Sequence, residues 1–292
     1  MKLRIFPFFA PMNIRDAKKQ FDTLCSTHFS KSEGDEIFSR IVEHLTSKSR
    51  LEIKLNKDIE VEDHLFLNIT SELQTNKPIQ YVLGYEWFYN LKLMVTEAVL
   101  IPRPETEELV RWIIDTLKEN KIHNPSILDI GCGSGCIPIA LKKELNELSV
   151  TAIDISESAL NIAKKNADLY QLKIEFLQSD ILNPGLIFDK KFDIIVSNPP
   201  YITSHERLEM DERVLSFEPN IALFVTNTDP FQFYKAILHY SEKNLNSNGI
   251  IFLELNSQFA HETESLFKMA GYKTTLRKDI YDNLRMLMAS KN

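Results

Sequence analysis

The sequence predicts an α/β protein in which a small helical domain precedes a mostly parallel, doubly wound sheet. From Ser126 onward, short apolar segments with strand character alternate with segments of helical periodicity, which is the pattern of βαβ units. Three of the chain's 8 glycines fall between positions 131 and 135, directly after one of these strands. Over residues 14–80 the apolar residues recur at helical spacing instead, and no strand is expected there.

The composition is that of an ordinary globular protein, with 43% hydrophobic and 26% charged residues in 292. No apolar run approaches the length of a membrane span. Three cysteines without the spacing of a disulfide framework or a zinc site favour a reducing, cytoplasmic location. Residues 1–11 contain too short an apolar stretch for a secretory signal, and we interpret them as an extension.

The net charge of −7 is unevenly distributed. Residues 1–80 carry 12 Lys and Arg against 12 Asp and Glu, so the rest of the chain carries the whole negative charge. Nucleic acids are polyanions and are usually bound by basic surfaces. The acidic second part of the chain therefore argues against DNA or RNA as the direct substrate.

Three regions follow from these patterns. Residues 12–84 are predicted to form a helical substrate-docking domain. Residues 85–103 are predicted to form a linking β-hairpin, because positions 86–101 are rich in β-forming residues and Asn90 suits a turn. Residues 104–292 are predicted to form the sheet domain, which begins with a helix from Pro104 to about Lys118 because proline and acidic residues favour a first helical turn.

The predicted strands and helices of the sheet domain alternate in order. Strands are expected at 126–130, 149–154, 173–178, 192–197 and 249–255, and helices at 135–146, 157–168, 231–245 and 257–269. Segments 272–277 and 284–289 are expected to pair as an antiparallel end of the sheet. The long connection at 202–230 is interpreted as a lid or a substrate wall.

A glycine loop follows the strand at 126–130 and reads Gly131-Cys132-Gly133-Ser134-Gly135. The dinucleotide fingerprint requires glycine or alanine at the sixth position, where Cys136 stands, and no Lys-Ser/Thr pair of a P-loop follows. A ligand without phosphates, such as S-adenosylmethionine, fits this loop better. Asp129 can orient the loop or the ammonium group of that ligand.

Two further acids lie at the ends of the next two predicted strands. Asp154 can accept hydrogen bonds from both hydroxyls of a ribose. Asp180 suits the exocyclic amine of adenine, with Ile181 against the ring. Each acid alone is more commonly a solvated residue, but their order at successive strand ends after the glycine loop indicates a binding site.

The segment Asn198-Pro199-Pro200-Tyr201 ends the buried strand at 192–197. Two prolines stop the strand because they lack N–H groups, and each forces the preceding residue into an extended conformation. Asn198 is therefore expected at the carboxyl end of a strand, the edge at which open α/β sheets bind ligands. We interpret the segment as a grip for a planar group with N–H donors; the alternative is a plain exit from a strand into a loop.

These motifs together resemble the class I S-adenosylmethionine-dependent methyltransferases, which have a Rossmann-like sheet. More narrowly, the chain resembles the family that methylates the glutamine of the Gly-Gly-Gln motif in peptide-chain release factors. The Asn-Pro-Pro-Tyr element is shared with enzymes that methylate amino groups of adenine and guanine. The resemblance rests also on the glycine loop, Pro78–Gly84, Leu100–Glu107 and Phe217-Glu218-Pro219, and the discriminating stretch is Ile-Pro-Arg-Pro-Glu-Thr-Glu at 101–107.

The resemblance implies transfer of a methyl group from S-adenosylmethionine to the glutamine N5, leaving S-adenosylhomocysteine. By that resemblance the side-chain oxygen of Asn198 and the carbonyl of Pro199 accept the two amide N–H groups, and Pro200 and Tyr201 complete the substrate site. The implied cofactor site consists of Asp129, Gly131, Cys132, Gly133, Ser134, Gly135, Asp154, Asp180, Ile181 and Asn198. The alternatives are a nucleic-acid amino-methyltransferase acting on adenine N6 or guanine N2, and a non-catalytic cofactor-binding or adaptor protein.

Overall fold

The computed structural model describes residues 11–56, 58–183, 190–226 and 228–291. Of the segment interpreted as an N-terminal extension, positions 1–10 lie outside the described residues. The chain divides into two compact units. The first is formed by residues up to Gly84 together with Glu212–Phe217, and the second by Tyr85–Asp211 together with Glu218–Asn292.

The first unit is built mainly from short amphipathic helices. Their apolar faces meet around Phe38, whose ring centroid lies 5.7 Å from that of Phe21 and 6.3 Å from that of Phe66. All three rings are buried, so this aromatic cluster is the centre of the unit's core. The helices are α1 (Ile14–Cys25), α2 (Lys31–Thr46), α3 (Arg50–Leu55), α4 (Asp63–Leu73) and α5 (Ile79–Leu83).

The expectation that this part of the chain contains no strand is wrong. Strand β1 (Pro11–Asn13) pairs antiparallel with strand β2 (Glu60–Glu62), and Val61 is the buried residue of the second. Three residues are too few for an alternating pattern to be read from the sequence. The pairing is also non-local, so its stabilisation comes from the partner strand and not from local propensity.

The second unit begins with a β-hairpin formed by β3 (Tyr85–Phe88) and β4 (Leu91–Met94). Tyr89 and Asn90 both have positive φ angles, +50° and +60°, which is the two-residue turn that matches strand twist. The turn at Asn90 is therefore confirmed. The expected extended segment to residue 101 is too long, because the chain turns after Met94 with the N–H of Val99 bonded to the carbonyl of Thr96 at 3.0 Å.

Seven strands of the described chain form one mixed sheet in the order β10-β11-β9-β8-β5-β6-β7. The neighbours from β9 to β7 are parallel, and β11 pairs antiparallel with both β9 and β10. This confirms the α/β class and the antiparallel end. The strands are β5 (Ser126–Ile130), β6 (Ser149–Asp154), β7 (Glu175–Gln178), β8 (Phe192–Ser197), β9 (Leu245–Glu254), β10 (Lys273–Lys278) and β11 (Leu284–Ser290).

Helices cover both faces of this sheet. Successive strand residues point to opposite faces, so Ile127 packs in the core beneath α6 and α7, whereas Leu128 packs in the core beneath α11 and α12. The helices are α6 (Pro104–Glu119), α7 (Cys136–Glu144), α8 (Glu157–Leu169), α9 (Glu212–Phe217), α10 (Asn220–Leu223), α11 (Gln232–Asn244) and α12 (Ala260–Met269). Of these, α9 belongs to the first unit.

The central strands were predicted residue for residue, at 126–130, 149–154 and 192–197. Strand β9 starts at Leu245 instead of residue 249, because Leu245 pairs with Phe192 of β8 before the register shifts and the pairing resumes at Ile250. Helix α12 starts at Ala260, preceded by a single 3₁₀ turn at Ser257–Phe259. Strand β7 starts at Glu175 instead of residue 173.

The long connection after β8 is ordered by backbone pairing. The N–H of Ile202 donates to the carbonyl of Leu223, and the N–H of Val225 donates to the carbonyl of Ile202, both at 2.9 Å. The two ends of the connection are thereby held together within the second unit. Helix α9 comes between these two ends in the sequence but belongs to the first unit, where its Arg213 forms an ion pair with Glu33.

Within the described part of the chain, no helix combines the length and apolar character needed to cross a membrane.

A substitution at Gly135 tests the packing of the glycine loop against the helices. Gly135 has a φ angle of +80°, and a Cβ there would lie 3.0 Å from Ile139 Cδ1 and 3.1 Å from Ala163 Cβ. Gly135→Ala is expected to lower the free energy of unfolding by about 2–5 kcal/mol, from backbone strain and from crowding. Urea denaturation measures the loss.

Gly271→Ala is the matched control, because Gly271 has a φ angle of +86° but a Cβ there meets nothing within 4 Å. Only the backbone cost of about 1–2 kcal/mol is expected for it. Equal losses in the two variants would contradict the close packing at Gly135.

Candidate active site

A cavity of about 220 Å³ opens at the carboxyl ends of the parallel strands. It lies at the end of β5, which pairs with β8 on one side and with β6 on the other. The strand order reverses direction at β5, and open α/β sheets bind ligands at such a switch point. Its lining brings together the predicted glycine loop, both predicted strand-end acids and the Asn-Pro-Pro segment. These are Gly131, Gly133, Asp154, Asp180, Ile181, Asn198, Pro199 and Pro200.

The glycine loop is fixed to strand β6 by its backbone. The N–H groups of Gly131 and Cys132 both donate to the carbonyl of Ile153, at 2.8 and 3.0 Å. Gly131 and Gly133 line the cavity, whereas Cys132, Ser134 and Gly135 belong to the loop but not to its lining. Cys132 and Ser134 are buried, so they contribute to the shape of the loop from inside the protein.

Asp154 connects the loop to the cavity. One of its carboxylate oxygens accepts the N–H of Gly133 and the other accepts the N–H of Ser156, both at 2.9 Å. Burial raises the pKa of Asp154, and these backbone bonds oppose the rise. A carboxylate oxygen has room for more than one donor, so Asp154 can hold the loop and still accept hydrogen bonds from a ligand.

Asp129 is fully buried, and among the described residues neither of its carboxylate oxygens has a hydrogen-bond partner. Burial, with a contribution from the nearby charge of Asp154, raises the pKa of Asp129 well above its usual value. A buried carboxyl without a donor is costly unless a cation or a donor arrives from elsewhere. Asp129 itself does not line the cavity; it precedes the lining residue Ile130, and its unpaired carboxyl fits a ligand that brings a positively charged group to this position.

The third wall of the cavity is formed by the turn after β7. The carboxylate of Asp180 accepts the N–H of Leu182 at 2.9 Å, which fixes it in the lining of the cavity. Ile181 is buried and supplies an apolar surface beside it. An acceptor next to an apolar wall suits a flat heterocycle with an exocyclic amine.

Asn198 is held by a chain of side-chain hydrogen bonds. Its Nδ2 donates to Thr106 Oγ1 at 3.2 Å, and Thr106 Oγ1 donates to Glu254 Oε2 at 2.6 Å. Because Nδ2 is engaged by Thr106, Oδ1 of Asn198 is the atom left to accept a hydrogen bond from a ligand. The amide is thus oriented before any substrate binds.

Tyr201 differs from the other members of its segment. Its hydroxyl donates to Glu254 Oε1 at 3.0 Å, and its ring packs against the core on the α11 side of the sheet. Tyr201 does not contribute to the lining of the cavity. Burial raises the pKa of Tyr201 well above its usual value, so it remains a neutral hydrogen-bond donor.

The segment Ile-Pro-Arg-Pro-Glu-Thr-Glu ties the site together. Arg103 forms an ion pair of 2.6 Å with the buried carboxylate of Glu218, and the carboxylate of Glu107 accepts the N–H of Tyr89 at 2.8 Å. Thr106 reaches Asn198 and Glu254. The motif that distinguishes the resemblance therefore connects the hairpin, the Asn-Pro-Pro segment, β9 and Glu218 within the second unit.

Thr106 and Glu254 were not identified as site residues from the sequence. Glu254 is fully buried at the carboxyl end of β9, directly after Ile250-Ile251-Phe252-Leu253. An acid at the end of such an apolar strand is the signal that could have identified it. Thr106 lies within the segment that carries the family resemblance, but the sequence did not indicate that its hydroxyl contacts Asn198.

The Asp129 carboxyl gives a prediction on stability without cofactor. The folded state holds the Asp129 proton more tightly than the unfolded chain does. Asp129 therefore lowers the free energy of unfolding progressively as pH rises from about 4 through the raised pKa. The thermal stability of Asp129→Asn relative to the wild type is therefore expected to increase from about pH 4 to about pH 8. Differential scanning calorimetry of the cofactor-free protein measures the difference.

Asp193→Asn is the control for this experiment. Asp193 accepts hydrogen bonds from Ser126 and Asn246, and its pKa is lowered. It is ionised in both folded and unfolded states above about pH 5, so its contribution stays nearly constant over most of the range. A flat difference for Asp129→Asn would contradict the account of a buried, unpaired carboxyl.

Comparison with solved structures places the fold among methyltransferases. The structure of a methyltransferase from Pyrococcus furiosus superposes with a TM-score of 0.50 at 19% identity, covering 77% of this chain and 98% of that chain. The hMettl16 catalytic domain, solved in complex with a 3'UTR hairpin, superposes with a TM-score of 0.54 at 21% identity, covering 79% and 81%. Residues 108–216 also match the family model described as a methyltransferase small domain.

Sequence relatives are closer and span nearly the whole chain. The release factor glutamine methyltransferase of Flavobacterium psychrophilum is 42% identical over 281 residues, which cover 94% of this chain and 98% of that protein. The protein of the same name from Bacteroides thetaiotaomicron is 40% identical over 245 residues, covering 82% and 87%. With this similarity and the geometry of Asn198, the chain belongs to the release factor glutamine methyltransferase family.

Proposed function

We propose that this chain transfers a methyl group from S-adenosylmethionine to the N5 side-chain amide nitrogen of the glutamine in the Gly-Gly-Gln motif of peptide-chain release factors. The observation that carries the proposal is the orientation of Asn198, whose Nδ2 is engaged by Thr106 so that Oδ1 serves the cavity as an acceptor. The names of the curated relatives support the same substrate class. The three cysteines are free thiols, which suits a protein of the reducing cytoplasm.

The residues of the cavity fit S-adenosylmethionine, which supplies an electrophilic methyl group on a sulfonium centre. Gly131 and Gly133 let the backbone approach the ligand, and Asp154 offers its carboxylate to the ribose hydroxyls. The unpaired carboxyl of Asp129 matches a ligand with a cationic amino-acid group. Asp180 and Ile181 suit the amine and the ring of adenine. Cys132, Ser134 and Gly135 maintain the loop from behind.

Asn198 and Pro199 act on the substrate. An amide nitrogen is a weak nucleophile because its lone pair is delocalised into the carbonyl group. Oδ1 of Asn198 accepts one amide N–H and the carbonyl of Pro199 accepts the other, so the nitrogen is aimed at the reacting carbon. Alignment of this kind recovers about 7–11 kcal/mol of an activation barrier. The proton of the amide leaves after the positive charge of the sulfonium has been discharged, so no strong base is required.

Nucleic-acid amino groups are the competing substrate. They also present two N–H donors, and the fold is shared with a methyltransferase solved with a 3'UTR hairpin. The negative charge of residues 81–292 disfavours a polyanionic substrate. The protein substrate is therefore favoured over DNA and RNA.

The first unit is assigned a docking role in this proposal. It is a compact unit with the Phe38 cluster as its core. It also includes α9, which belongs to the connection that follows the Asn-Pro-Pro segment in the sequence. A unit that holds part of the substrate-side connection is well suited to recognise the body of the release factor. Residues 12–84 carry this role, the hairpin region 85–103 follows, and residues 104–292 carry the chemistry.

Asp154→Ala tests the cofactor assignment. The variant is expected to weaken S-adenosylmethionine binding by about 1.5–3 kcal/mol, the contribution of hydrogen bonds to a charged group. Isothermal titration calorimetry measures the affinity. Glu175→Ala, at the amino end of β7 and outside the cavity lining, is the control and is expected to bind normally. Wild-type affinity in Asp154→Ala would remove this residue from the cofactor site.

The amide grip is tested from the enzyme side and from the substrate side. Asn198→Ala is expected to lower turnover by about 10²–10³-fold, because one oriented hydrogen bond in the transition state is lost, and to lower cofactor affinity far less. A release factor with Gln→Glu in its Gly-Gly-Gln motif lacks both donors, and methylation is expected to fall by about 10⁴–10⁵-fold.

Mass spectrometry of the target peptide measures both effects, with cofactor binding followed separately by calorimetry. Normal turnover in Asn198→Ala, or ready methylation of the Glu substrate, would show that the Asn-Pro-Pro-Tyr segment is not the amide grip.

A further inference from the structure

The carboxylate of Glu254 is the end point of a hydrogen-bond chain that leads to Asn198. Glu254 is 1% exposed, and each of its two oxygens receives one hydroxyl donor. Thr106 donates to Oε2 at 2.6 Å, and Tyr201 donates to Oε1 at 3.0 Å. On its other side Thr106 Oγ1 receives Nδ2 of Asn198 at 3.2 Å. The hydrogen-bond chain therefore leads from Asn198 through Thr106 to Glu254, and each donor in it points towards the carboxylate.

The direction of this chain follows from the chemistry of its end group. An ionised carboxylate only accepts hydrogen bonds, so the single proton of the Thr106 hydroxyl must point to Glu254. The hydroxyl oxygen can then only accept on the Asn198 side. An asparagine amide has nearly the same shape in its two orientations, and only the atom that can donate, Nδ2, satisfies this oxygen. Oδ1 is consequently turned towards the cavity.

Several contacts favour the ionised form of Glu254. Burial raises the pKa of Glu254 above its usual value, and the hydrogen bonds from Thr106 and Tyr201 and the positive charge of Arg285 offset part of that rise. Arg285 is anchored beside the strand end, because its Nη1 donates to the carbonyl of Leu255 at 3.2 Å. Two donors on two oxygens is the arrangement that a carboxylate requires and that a protonated acid does not.

We propose that Glu254 is a positioning residue that, through the Thr106 hydroxyl, sets the orientation of the Asn198 amide and thereby selects substrates with amide N–H donors over substrates with carboxylate acceptors. This inference rests on the proposed function for the identity of the substrate. It goes further by assigning the polarity of the grip to a residue that does not line the cavity. Reversal of the chain would present Nδ2 of Asn198 to the ligand.

Glu254→Gln is the decisive variant, since it is nearly isosteric and removes the charge that fixes the direction of the hydrogen-bond chain. The glutamine can donate its NH₂ to Thr106, whose hydroxyl then donates to Oδ1 of Asn198, and the amide turns over. We expect the kcat for methylation of a release factor to fall by about 10²–10³-fold, as for loss of an oriented transition-state hydrogen bond. The Kd for S-adenosylmethionine is expected to stay within about twofold of the wild type, because Glu254 does not line the cavity.

The measurement that reports the orientation of the Asn198 amide is the ratio of two affinities, one for the release factor and one for its Gln→Glu variant. Calorimetry in the presence of S-adenosylhomocysteine compares the release factor with its Gln→Glu variant. The wild type is expected to bind the Gln form more tightly. Glu254→Gln is expected to lose or invert this preference, because a turned Asn198 offers a donor to the carboxylate. A merely structural role of Glu254 would weaken binding of both forms and leave their ratio unchanged.

Thr106 supplies the matched pair of variants. Thr106→Val keeps the shape of the side chain but removes the hydroxyl, so the orientation of Asn198 is no longer set and kcat is expected to fall. Thr106→Ser keeps the hydroxyl and is expected to restore kcat to within about threefold of the wild type. Thr116→Val, at another buried threonine of α6, is the control and is expected to leave kcat and the Gln-to-Glu preference unchanged. Thermal melts confirm that each variant is folded.

The outcomes separate this inference from the proposed function. If the wild type transfers no methyl group to the release factor but its Gln preference is inverted in Glu254→Gln, the proposed reaction fails and the positioning role stands. A wild-type preference retained in Glu254→Gln overturns the positioning role, as does equal binding of both forms by the wild type. A Thr106→Ser variant as impaired as Thr106→Val also overturns it.

Discussion

The geometry of the site depends on the hydrogen bonds that the buried carboxylate of Glu254 accepts. This carboxylate joins three separate segments of the second unit, because Thr106 comes from the start of α6, Tyr201 follows β8, and Glu254 itself ends β9. A charge in this position is tolerated only because both oxygens are paired and Arg285 lies near. A fully satisfied polar cluster of this kind specifies one arrangement of its members, which an apolar cluster of the same size does not.

The parallel sheet gives this cluster its place. Strands β5, β6, β8 and β9 run in the same direction, so their carboxyl ends bring Asp129, Asp154, Asn198 and Glu254 to one edge although these residues are far apart in sequence. Two prolines end β8 at that edge and keep the next backbone carbonyls out of the sheet. The residues of the cavity are thereby held at strand ends, while the connection after Tyr201 supplies another part of its lining through Pro219, Ile221 and Ala222.

The sequence predicted those elements whose pattern is local. Strands β5, β6 and β8 were predicted residue for residue, because each is a short apolar run bounded by clear signals, and the acids and glycines at their ends could be read in order. Strands β1 and β2 were missed because three residues carry no periodicity. The pairing of Thr106 with Glu254 spans 148 positions and depends on side-chain contacts that no spacing encodes. The same holds for Tyr201, which the sequence assigned to the substrate and which the structure bonds to Glu254.

The methyl acceptor of this enzyme is a protein amide and not a nucleobase. The most direct measurement uses S-adenosylmethionine labelled in its methyl group, with release factor, transfer RNA and DNA offered to the full-length protein in parallel. We expect label in the release factor alone, at the glutamine of the Gly-Gly-Gln motif, and none in a release factor with Gln→Glu at that position. Label in RNA or DNA, or label in the release factor at another residue, would contradict it.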